Sequence, residues 1–145
     1  MTTTAPAGTP GRAAASPAAS PAAVPDSFRR VRLDLAREPH HPEGSRTHTY
    51  SFIAPLDDDG RLSPALWHEH REACRVVRQR HGDQSIGHLV RRPGGSWAFR
   101  YPEDAGLGDE AGYRFDAEHF VPGEYISVHE SDGMHTFRVI ASDPV

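Results

Sequence analysis

The chain has no lysine: all sixteen of its basic residues are arginine. A lysine Schiff base, a lysine general base and the lysine of a phosphate-binding P-loop are therefore excluded. It has a single cysteine, Cys74, so no intrachain disulfide can form, as suits a reducing cytoplasm. No stretch approaches the roughly 18 apolar residues of a membrane-spanning helix, which predicts a soluble, cytoplasmic protein without a membrane partner. Catalytic signatures are missing as well. There is no GxSxG elbow and no HExxH metal spacing. Gly94-Gly95, Gly106 and Gly108 do not precede helices, so they do not form a phosphate-binding fingerprint. Asp57-Asp58-Asp59-Gly60 looks like part of a calcium loop. Aligning Gly60 with the loop glycine, however, puts Pro55 and Leu66 where acidic ligands are needed. The expected protein is a non-enzyme with no cofactor.

What is present divides the 145 residues in two. Residues 1–27 are almost entirely Ala, Pro, Thr, Ser and Gly, with Arg12 and Asp26 as the only charges. So little large apolar surface cannot offset the entropy of ordering, which predicts a disordered tail. Prolines interrupt its short alanine runs, so it lacks the apolar stretch of a secretory signal. Residues 28–145 are expected to form one globular domain. Its charge is uneven. Arg61 to Tyr101 carries eight arginines against three acids, and Pro102 to Val145 carries two against ten. Such halves either neutralise each other across strands or create one anion-attracting face.

The pattern within the domain is mainly that of strands. Val31, Leu33 and Leu35 alternate with Arg30, Arg32 and Asp34, the period of a half-buried strand. Further strands are predicted at His48–Ala54, Ser85–Arg92, Ser96–Tyr101, Gly112–Asp116, Glu124–Glu130 and Met134–Ala141, separated by glycine and proline turns. Pro102 to Ala111 reads as an acidic, mobile loop. One helix is predicted at about 64–81. Ser63 is its N-cap and Pro64 its first residue. Leu66, Trp67, His70, Cys74 and Val77 form its apolar stripe, and Gly82 is its stop. The expected fold is α+β: a small twisted antiparallel sheet or partly open barrel with this one helix packed on it. The expected core is Leu33, Phe52, Leu66, Trp67, Val77, Trp97, Phe99, Phe115, Ile126, Val128, Phe137 and Val139.

Four segments carry a resemblance: RLDLAR from Arg32, HPEGS from His41, GHLVRRPGGSWAFRY from Gly87, and the GEYISV…HTFRV hairpin from Gly123. Through them the chain resembles a family of small uncharacterised bacterial proteins over most of Arg29 to Ile140. That likeness implies no activity. The closing hairpin is also similar to the last strands of small SH3-like or PUA-like barrels, a likeness of fold alone.

Two sets of residues are candidates for binding. Arg91, Arg92 and Arg100 surround Trp97, as in modules that hold phosphates with arginine and stack bases on aromatic rings. Strand alternation with Arg100 argues instead that the aromatics point inward. The leading expectation is a non-catalytic binding or interaction module with an Arg-rich hairpin, for an anionic ligand, a nucleic acid or a protein. The alternative is a divalent-metal protein or metal-dependent enzyme drawing on His40, His41, His48 and His68 among ten histidines. His68 and His70 lie about 200° apart on an ideal helix and cannot both ligate one ion from it. His70 and Cys74 fit the apolar stripe equally well as core residues.

Overall fold

The computed structural model describes residues 25–39, 42–80, 82–102, 109–112 and 114–145. The tail expectation falls almost wholly on residues 1–24, outside the described residues.

Strands β1 (Phe28–Leu35) and β2 (Ser45–Pro55) lead into a short helix, α1 (Pro64–His70), and a 3-10 turn (Arg71–Ala73). The chain continues through β3 (Arg75–Arg80), β4 (Asp83–Arg91), β5 (Trp97–Arg100), β6 (Glu110–Gly112), β7 (Tyr125–Glu130) and β8 (Gly133–Pro144). Each strand pairs antiparallel with the next, and β8 returns to β1 through Arg29↔Pro144 to Leu35↔Phe137. The sheet is therefore a closed eight-stranded barrel rather than an open or partly open one. Closure removes every free strand edge.

The helix is the main departure from the sequence pattern. Its start is as expected: the Ser63 side chain accepts from the Leu66 N–H, and Pro64 occupies the first turn. It stops at His70, and Arg75–Arg80 is a strand instead of a continuation of the helix. The β-branched pair Val76-Val77 suits a pleated strand better than a helix. Long-range pairing with Thr49–Phe52 on β2 and Asp83–His88 on β4 then decides the matter. Gly82 still has a positive φ, 83°, but it serves the β3–β4 hairpin and not a helix end.

The interior follows strand parity. Ten of the expected core residues are buried: Leu33, Phe52, Trp67, Trp97, Phe99, Phe115, Ile126, Val128, Phe137 and Val139. Leu66 and Val77 are only half-buried, because in a strand Val76, not Val77, faces inward. Tyr50, Leu89 and Phe120 are buried in the same core. The aromatics lock together: Tyr50 stacks on Phe99 at 5.0 Å, and Phe115 meets Phe120 edge-on at 5.3 Å. Eight strands enclose a cylinder only just wide enough for such side chains.

Among the described residues no helix is long and apolar enough to cross a membrane. Arg30, Arg32, Arg75 and Arg138 are exposed on the outer wall, where a membrane barrel carries an apolar band.

The strand expected at Gly112–Asp116 lies two residues earlier, at Glu110–Gly112, and Arg114–Ala117 turns back. The reason is Gly112. A Cβ there would sit 2.2 Å from the Phe115 ring, so only glycine lets Phe115 fold into the lumen immediately after the strand. Gly112→Ala is expected to cost about 1–3 kcal/mol through overpacking. Thermal denaturation followed by circular dichroism should show a lower midpoint.

Candidate functional site

One end of the lumen is polar. His48 and Tyr50 from β2, Arg78 and Arg80 from β3, Ser85 from β4, Glu110 from β6, Glu130 from β7 and His135 from β8 share the inward parity of the aromatics. Glu130 and Glu110 are 2% and 8% exposed, a level carboxylates reach only when paired.

The pairing is nearly complete. Arg78 Nη1 donates to Glu110 Oε2 at 2.7 Å and Nη2 to Ser85 Oγ at 2.9 Å. Arg80 Nη1 donates to Glu130 Oε1 at 3.0 Å. His48 Nε2 lies 2.9 Å from Glu130 Oε2. The Tyr50 hydroxyl sits between the two carboxylates, 2.9 Å from Glu110 Oε1 and closer still to Glu130 Oε2. Its single hydrogen can go to only one of them at a time. At the rim, His135 Nδ1 meets Glu38 Oε1 at 3.0 Å and Nε2 meets Asp132 Oδ1 at 2.8 Å. This holds the connection after β1 to strand β8.

These contacts set the proton positions. Burial and the neighbouring carboxylates push Tyr50 far above its ordinary range, so it stays a neutral donor. Tyr101 is shifted the same way, chiefly by burial and then by Glu110. Its hydroxyl is buried near Glu110 without a well-formed hydrogen bond. The Arg78 guanidinium lies over the Tyr101 ring at 4.5 Å. Burial opposes the charge of Glu130, but hydrogen bonds from His48 and Tyr50 outweigh it and hold the carboxyl below its usual range. Two guanidiniums thus face two carboxylates, with the Tyr50 hydroxyl between them. Burial pushes the Cys74 thiol up to about 12, which keeps it protonated at neutral pH.

Among the described residues singled out for binding, His48 alone belongs to this cluster. Trp97 lies in the core, with Arg91 over its ring at 5.6 Å. Arg92 Nε donates to Ser96 Oγ at 3.1 Å within the β4–β5 turn. Arg100 has the opposite parity to Trp97 and points outward, where it grips Asp109 with two hydrogen bonds of 3.0 and 2.9 Å. Of the metal candidates, His40 and His41 lie outside the described residues. His68 is exposed on α1, beyond the far end of β2 from His48. Those two are not brought together.

A second feature lies on the outer wall. Trp67 packs edge-on against Trp97 at 5.5 Å, and its Nε1 donates to the Leu89 carbonyl at 2.9 Å. This holds α1 and the 3-10 turn against β4 but leaves a cleft of about 340 Å³. Trp67, Leu89, Val90 and Pro102 form its apolar walls; Arg71, Glu72, His88 and Arg100 are its polar members. That volume is within the usual range for small-molecule sites.

No protein-family model matches the chain, and neither does any curated protein or solved structure.

Tyr50→Phe removes the hydroxyl from between two buried carboxylates and is expected to cost about 1–3 kcal/mol, read as a lower melting temperature. His135 provides a pH test. Burial opposes its charge, but the hydrogen bonds that its ring donates to Asp132 and Glu38 outweigh burial and raise its pKa above 6.5. Its stabilisation is therefore complete below pH 6.5 and is lost as pH rises through the folded-state value. Melting temperature against pH should show that loss in the wild type and not in His135→Gln.

Proposed function

We propose that the protein is a non-catalytic binding module, and that the outer face of its β4–β5 hairpin takes a small amphipathic anion such as an aromatic carboxylate. The observation that carries this reading is the cleft beside Trp67. It combines apolar walls with Arg71, which is exposed and has no carboxylate partner among the described residues. The hairpin supplies His88, Leu89, Val90 and Arg100 to the lining. The lumen is a poorer candidate, because aromatic rings fill it and its charges already neutralise one another.

The metal reading keeps one observation. Glu130, Asp132 and His135 place ligand atoms within 4.8 Å of one another. Arg80 stands 3.0 Å from Glu130, and a cation there would face its repulsion. Elemental analysis of purified, untagged protein decides this: stoichiometric metal that disappears in Asp132→Ala would restore the metal reading.

The cleft itself is tested by fluorescence, since Trp67 lines it and Trp97 touches Trp67. Titration with a panel of aromatic and aliphatic carboxylates is expected to change tryptophan emission saturably. Arg71→Ala should weaken binding roughly fivefold, the worth of about 1 kcal/mol for an exposed ion pair. Val90→Trp should fill the cleft and abolish binding. A flat titration across the whole panel would reject the proposal.

A further inference from the structure

A larger concavity than that cleft lies elsewhere, on the outer wall where β1, β7 and β8 meet the connection between β1 and β2. It encloses about 700 Å³. Arg37 and Arg46 line it from that connection and the start of β2, Arg138 from β8, and Tyr125 from β7. All four are exposed, Tyr125 to 60%. The three arginines have no carboxylate partner among the described residues, whereas Arg32, Arg78, Arg80 and Arg100 are all paired. Two carboxylates also line the groove. Asp34 is occupied by Arg32 at 2.9 Å, which leaves Glu43.

Tyr125 and Arg138 are direct cross-strand partners, so an aromatic face and a guanidinium stand side by side on one wall. An extended peptide would normally gain its affinity by adding a strand to a sheet edge. This barrel is closed and has no edge to offer. A ligand here must be held by side chains alone, through its charge and its flat surfaces. Phosphates spaced along a flexible backbone, with bases free to stack, meet both demands.

We propose that this groove binds single-stranded nucleic acid, with Arg37, Arg46 and Arg138 on consecutive phosphates and a base stacked on Tyr125. The site shares no residue with the cleft beside Trp67 and stands or falls independently of it. The chain's net charge of −4 offers no general attraction for a polyanion, so binding depends on these residues. Three phosphate contacts on a single strand give a slope of log K against log salt near −2.

The test uses the full chain, a fluorescein-labelled oligouridine, and a polyglutamate peptide of matched charge, followed by fluorescence anisotropy over a salt series. Oligouridine is expected to bind with that slope. Arg46→Ala or Arg138→Ala should each make the slope shallower by about 0.7, and Arg138→Lys should preserve it. Tyr125→Ala should weaken binding roughly 5- to 150-fold while leaving the slope unchanged. These residues are exposed, so circular dichroism should show each variant folded as the wild type. Polyglutamate binding as tightly and ignoring Tyr125→Ala would make the groove an acidic-peptide site and overturn the proposal. So would the absence of oligouridine binding at the lowest salt.

Discussion

The narrowness of a closed eight-stranded barrel governs the rest of this structure. Strand parity sends every second side chain into a cylinder that side chains alone fill, and no edge remains outside. Any polar group with inward parity must find its partner among other inward groups. At one end the problem does not arise, because Phe52, Phe99, Phe115 and Phe120 pack ring against ring. At the other end Arg78, Arg80, Glu110 and Glu130 solve it as ion pairs, with Tyr50 and His48 taking up remaining acceptor positions.

Such a cluster is weak evidence of stability, since desolvating four charges costs nearly what their attraction returns. Its value is better sought in register. Arg78 on β3 reaches Glu110 on β6, and Arg80 on β3 reaches Glu130 on β7, so strands that are not neighbours in the sheet are tied across the lumen. A slip of one residue in β3 would turn both arginines outward and leave two carboxylates unpaired inside. An apolar lumen would tolerate that slip far better.

The same logic explains what could be read from the sequence. Strands with alternating apolar residues, such as Val31-Leu33-Leu35 and Ile126-Val128, were legible because their inward positions are apolar. β3 was not: its inward positions are Val76, Arg78 and Arg80, and arginine at an inward position reads as exposure. With Val77 in the place of the buried residue, the sequence extends the helical stripe through Leu66, His70 and Cys74. Glu110 is hidden for a similar reason, as one acid in an acidic, glycine-rich stretch whose described residues pair only with Ala98–Phe99 on β5 and Val128–His129 on β7. His48 stood out as a histidine, but its partner is a carboxylate 82 residues away in sequence. The conflict between residue type and parity is itself a signal. A charged residue repeated at the inward spacing of a β-branched strand marks a polar lumen.

A filled and internally neutral lumen leaves the wall as the surface for the binding proposed above. A rigid cylinder suits that, since outward side chains are carried on strands whose inward neighbours cannot move independently. The arginine groove shows the connection. Arg37 is adjacent in sequence to Glu38, which His135 holds at the rim of the lumen, and His135 also lies 3.8 Å from Glu130 in the interior cluster. One wall of the groove is thereby anchored to the ion pairs that set the register. Loosening that anchor would cost the groove its shape before it cost the barrel its fold, because the aromatic end does not depend on it.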